Sequence, residues 1–80
     1  MENQNYYLKE FQYFDGYTEI IFNIVDINFN KMTITLAITN QGKISVIEYD
    51  LKRDKENNLY FEYGYQNEKI AVDDFENIED

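Results

Sequence analysis

Residues 32–39, MTITLAIT, constrain the fold more than any other stretch of the chain. Met32, Ile34, Leu36 and Ile38 alternate with Thr33, Thr35, Ala37 and Thr39. Successive side chains of a strand point to opposite faces, so this period predicts a strand with one buried and one polar face. LYFEYGY repeats the theme, with Leu59, Phe61, Tyr63 and Tyr65 opposite Tyr60, Glu62 and Gly64. Turn signals separate such runs at short intervals: Asp15-Gly16 in FDGY, Asn30-Lys31 in FNKM, Gly42 in TNQGK, Asn57-Asn58 in DKENNL, and YQNEK. Asp15-Gly16 predicts a two-residue type I′ hairpin, whose central residues both need φ > 0. No proline interrupts any run, so none is demoted as a strand on that ground.

Two runs change phase. In TEIIFNIVDINF, Ile20, Phe22 and Ile24 share a face, after which Val25, Ile27 and Phe29 carry the pattern and Asp26 falls out of it. In KISVIEYDL, Ile44 and Val46 give way to Ile47, Tyr49 and Leu51. A β-bulge produces a one-residue phase change and bends its strand, so both runs are expected to bulge. The run NYYLKEFQYF fits a strand carrying Tyr7, Phe11 and Tyr13, or a helix carrying Tyr7, Phe11 and Phe14. Its aromatic content and the turn after it favour the strand. Near the end, Asp73 and Glu76 have capping-box spacing, which predicts one short helical turn. Phe75 and Ile78 would then plug an open end of the sheet.

Eighty residues make one domain, 1–80, which buries only about 60% of its unfolded surface. Small domains find extra stability in disulfides, metals or oligomers. With no cysteine and no histidine, disulfides and ordinary zinc sites are out. A dense apolar core or self-association remains, and eight tyrosines and six phenylalanines supply the first. No convincing helix covers a sheet. The expected fold is therefore all-β: a strongly curved antiparallel meander of five or six strands, a small barrel of SH3-like or OB-like size. The ending KIAVDDFENI resembles the closing segment of small SH3-like barrels of the Sm-like kind, where a strand, a short turn and a last strand follow one another.

Sixteen acids against seven bases leave a net charge of −9. That disfavours direct nucleic-acid binding and anionic membranes, and it favours a basic partner. The start MENQNYYLKE has no basic n-region and no apolar core of signal-peptide length, which points to the cytoplasm. No apolar run reaches the ~20 residues that span a bilayer.

Enzyme chemistry fails on inventory. Without His or Cys the usual general base and thiol are missing, and the only serine, Ser45, lies mid-strand with nothing to activate it. The three glycines are too scattered for a phosphate loop, and no EF-hand spacing appears. Glu48 and Asp50 share a strand face, with Asp26 a possible neighbour across the sheet. No cofactor and no metal is expected, and the chain reads as a non-enzyme.

The remaining signal is an excess of carboxylates and tyrosines. Tyrosine gives large contact area at low entropic cost and is enriched at interfaces. The expected function is a small acidic protein-binding module that occupies a basic surface, in its sharpest form a DNA mimic inhibiting a nucleic-acid enzyme. In type the chain resembles small acidic phage and mobile-element inhibitors of restriction and CRISPR systems. The expected partner-binding residues are Asp73, Asp74, Glu76, Glu79, Asp80, Glu48, Asp50, Glu62, Tyr60 and Tyr65. Two other readings stand beside it: a small-ligand or peptide-binding barrel, and a module that self-pairs through an edge strand, for example as a homodimer.

Overall fold

The computed structural model describes residues 9–76. They form two antiparallel sheets. The larger is a meander of β1 (Glu10–Phe14), β2 (Glu19–Asn28), β3 (Thr33–Asn40) and β4 (Lys43–Asp50), in that spatial order. The smaller is β5 (Lys52–Arg53), β6 (Leu59–Tyr63) and β7 (Glu68–Ala71). A 3-10 turn, Val72–Asp74, follows β7. The all-β, antiparallel expectation holds. The strands number seven because the run that begins KISVIEYDL is divided between the sheets: β4 and β5 are separated only by buried Leu51, where the chain passes from one sheet to the other.

The sheets do not close into a barrel. On one side the covalent step at Leu51 links them, and its N–H donates to the Met32 carbonyl at 2.9 Å. On the other, one β-bridge joins Glu10 to Glu76 through two backbone hydrogen bonds of 2.8 and 2.9 Å. The strand, turn and return of the closing segment are thus present, with the return reduced to a single bridge among the described residues.

Burial follows the alternation. Ile34, Leu36 and Ile38 of β3 face inward and are buried, as are Ile20, Phe22 and Ile24 of β2. The β2–β3 register shifts between Ile24 and Asp26, so β2 bulges where the phase change predicts. Beyond the bulge only Ile27 returns to the core, and Val25 and Phe29 stay exposed. β4 does not bulge: its pairing with β3 is unbroken from Asn40↔Lys43 to Thr33↔Asp50. Both of its faces carry apolar side chains. Phe61 and Ile70 close the core from the smaller sheet, and rings interlock through it: Phe22–Phe61 at 5.8 Å, Tyr49–Phe61 at 5.4 Å. No polar or charged residue among those described is buried.

The first described run is a strand, with Phe11 and Tyr13 packed on the core. Tyr7 and Ile78 lie outside the described residues. At the other end Asp73 does not cap: the turn begins after extended Ala71 with no side-chain cap bond. Phe75 does plug the core, stacking on Phe11 at 5.4 Å.

The turns reveal a shared device. Asp15 Oδ1 accepts the N–H groups of Tyr17 and Thr18, at 2.8 and 2.9 Å. Asn28 Oδ1 does the same for Asn30 and Lys31, and Asp54 Oδ1 for Glu56 and Asn58. Such Asx side chains replace a backbone acceptor and hold the loop open at fixed length. Asp15-Gly16 is therefore part of a four-residue loop, 15–18, rather than a type I′ turn. The two-residue turn with both φ positive is Gln41-Gly42, at 54° and 81°.

Candidate functional site

A concavity that gathers chemistry lies where two loops meet. The β1–β2 loop brings Asp15 and Tyr17; the β6–β7 loop brings Tyr65; the strand ends bring Tyr13, Tyr63 and Glu68. Together they line a cleft of about 520 Å³.

Its floor is fixed by packing. Tyr63 meets Phe22 edge-on at 5.0 Å and Tyr13 at 6.0 Å, so both tyrosines are anchored on the core and turn their outer parts to the cleft. Edge-to-face pairs of this kind hold rings in place as well as burying area. Its rim is open: Tyr17 is 89% exposed and Tyr65 fully so. The β6–β7 loop is tight, with Gly64 at φ 83° and Asn67 at φ 50°, and the Asn67 N–H donates to the Gly64 carbonyl. A side chain other than glycine at position 64 would be strained in that conformation. Tyr65 therefore projects from a short, defined turn.

The cleft is electronegative. Asp15 is held below the usual carboxylate range, first by the N–H of Thr18 and then by that of Tyr17, so it stays ionised. Glu68 sits opposite Tyr63 in the β6–β7 register. The Tyr13 hydroxyl is pushed up, chiefly by burial, then by the charges of Glu68 and Asp15. Both carboxylates thus act on one point of the floor. The lining contains two acids, four tyrosines and no base.

The carboxylates expected to bind are elsewhere, in two groups. Glu48 and Asp50 occupy the outer face of β4, and Glu48 and Asp26 flank Thr35 from either side across the sheet. Asp73, Asp74 and Glu76 are exposed on and after the 3-10 turn. Glu79 and Asp80 lie outside the described residues. Glu62 pairs with Lys52 at 3.3 Å, and Lys69 sits 4.7 Å over the Tyr60 ring, so these two already have partners within the chain. Of the expected residues only Tyr65 lies in the cleft. Among the described residues no three carboxylates converge as a metal site would require.

Asp15 and Glu68 were missed as site residues for different reasons. Asp15 has an obvious local role in its turn, which hides a second one. Glu68 was readable: a four-residue turn at 64–67 sets it opposite Tyr63, inside the aromatic cluster.

No family model, curated protein or solved structure matches the chain.

Proposed function

We propose that the chain is a small non-enzymatic binding module that occupies a basic surface on another protein, anchored by a lysine or arginine side chain in the tyrosine–carboxylate cleft. The observation that carries this reading is the lining itself: four tyrosines and two carboxylates without a base, in a chain of net charge −9. Aromatic faces attract cations, by about 0.5–1 kcal/mol when exposed and about 2 kcal/mol when desolvated. Carboxylates add charge-assisted hydrogen bonds to the same guest. The molecule already uses this chemistry once, in Lys69 over Tyr60. The outer acids, Glu48, Asp50, Asp73, Asp74 and Glu76, then speed encounter with a basic partner and set its orientation.

The finer form of the proposal is a DNA mimic, in which those outer carboxylates stand in for phosphates on a nucleic-acid enzyme of the restriction or CRISPR type. Duplex DNA would then compete with the chain for its partner.

The test is an NMR titration of the protein with N-acetyl-arginine amide and with an arginine-rich peptide, at low and high salt. Ring resonances of Tyr13, Tyr17, Tyr63 and Tyr65 should shift, and the peptide should bind more weakly as salt rises. Peptide binding without ring shifts would move the site to the outer acids. No binding of either probe would remove the proposal.

A further inference from the structure

The fourth strand is at the end of its sheet, and no strand of the described residues pairs along its outer edge. Seven of its eight residues are exposed, and only Tyr49 is half-buried. Ile44 and Val46 are 68% and 64% exposed on one face, and Ile47 is exposed on the other. A long apolar edge is a template for a further strand, and folded proteins ordinarily blunt it with a central charge, a proline or a bulge. Between Ile44 and Ile47 this edge has none of them. Opposite it, β6 is paired on its β5 side only at Leu59 and Tyr60. The unclosed gap between the sheets holds a groove of about 360 Å³, lined by Ile38, Asn40, Lys43, Ser45, Ile47 and Tyr63.

We infer that a second copy of this chain covers the edge, as an antiparallel β4–β4 pair that joins the two four-stranded sheets into one. The middle of β4, Ser45-Val46-Ile47, can pair with its own reverse. A two-fold axis perpendicular to the sheet sets like faces side by side, so residues of equal parity face each other. With Val46 at the axis the two Val46 side chains meet on the outer face, with each Ile44 diagonal to them and opposite the second copy's Glu48. On the inner face small Ser45 meets the second copy's Ile47, above the groove. Lys43 falls opposite the second copy's Tyr49 on the inner face, while Glu48 and Asp50 stay on the outer face. The net charge of −9 on each copy opposes association. Salt screens that repulsion, whereas the backbone ladder and the apolar contacts are indifferent to it. The dimer therefore tightens as salt rises, the reverse of what a basic partner would do at the cleft.

The test is sedimentation equilibrium of the full chain across concentration and salt, with variants on the edge. The wild type should move from 9.7 kDa towards twice that mass as concentration rises, and further at high salt. Val46→Lys should weaken the dimer by more than roughly tenfold, as expected from placing like charges opposite one another at the axis, with its urea midpoint near that of the wild type. The chain has no cysteine, so Val46→Cys is a clean reporter: directly opposed residues are about 4.5–5.5 Å apart, within disulfide range. It should cross-link under mild oxidation, while Phe14→Cys, exposed on the far edge strand, should not. A chain that stays at 9.7 kDa at every salt, or a dimer that survives Val46→Lys and ignores Val46→Cys, overturns the inference. Cleft binding can fail while dimerisation holds, and the reverse.

Discussion

β3 and β4 are adjacent strands of equal length, paired without a break, and both are rich in apolar residues. Yet β3 buries Ile34, Leu36 and Ile38, while β4 leaves Ile44, Val46 and Ile47 in water. The pair Leu36↔Ile47 makes the point within one cross-strand row: the two side chains lie directly opposite on the same face, one with no exposed surface and the other 41% exposed. Strand pattern decides which face a side chain takes. Position in the sheet decides whether anything covers that face. β3 is flanked on both sides and roofed by Phe61 and its neighbours, whereas β4 lies where the two sheets diverge.

The largest expected effect breaks or upholds this contrast. Leu36→Ala should cost about 2–5 kcal/mol, the range for a buried leucine, enough to unfold much of a domain this small. Ile47→Ala, its direct partner, should cost within about 0.5 kcal/mol in the monomer, as exposed sites do. Urea midpoints measured at low concentration and low salt compare the two, and equal losses would mean that β4 is covered after all.

Next in size is the functional contrast between cleft and edge. Tyr17→Ala combined with Tyr65→Ala should weaken binding of an arginine-rich peptide by roughly five- to thirtyfold, given about 0.5–1 kcal/mol per exposed cation–aromatic contact. Neither ring touches the core, so the urea midpoint should stay put. Calorimetry and denaturation together check this. A large drop in stability would make the rim structural.

The loops should dominate the acid limb of stability. Asp15 and Asp54 are both held below the ordinary carboxylate value of 3.8, the first mainly by the Thr18 N–H and the second mainly by the Asn58 N–H. A depressed folded value stabilises the fold above the unfolded value and is lost as pH falls through the folded one. Stability should therefore decline from near pH 4 downward, and Asp15→Asn with Asp54→Asn should flatten that decline. Acid titration followed by circular dichroism reads it; an unchanged slope would assign acid sensitivity to other carboxylates.

The smallest effect distinguishes the one half-buried position of β4. Burial pushes the Tyr49 hydroxyl up, with the charge of Tyr63 adding to it. A raised folded value stabilises the fold below the unfolded value of 10 and is lost as pH rises beyond it. Ultraviolet titration should show a late tyrosine component that Tyr49→Phe removes.

Much of this was legible in local sequence. The alternation of 32–39 placed β3 and its faces, and the phase change at Val25 located the bulge of β2. The same logic misread β4. Apolar residues on both faces can mean a bulge or a two-faced edge, and only the neighbours decide between them. Gln41-Gly42 formed the tight turn its glycine announced, but Asp15 used its carboxylate to build a longer loop than Asp-Gly alone predicts. Phe75 found its place in the core, in line with its expected role of plugging an open end of the sheet, although the capping box that was to position it did not form.

By itself, then, the sequence determined what depends on near neighbours: strand period, turn position, a core made of aromatics and branched aliphatics, and a strongly negative surface. Those follow from φ/ψ preference, side-chain alternation and composition, which act over a few residues. The tertiary structure alone decided that Tyr17 and Tyr65, from loops far apart in the chain, rim one cleft with Asp15 and Glu68. It alone decided that the sheets stop short of closure at β4. Both are outcomes of long-range packing, where loop-closure entropy and the fit of Phe22, Phe61 and Tyr63 set which faces meet.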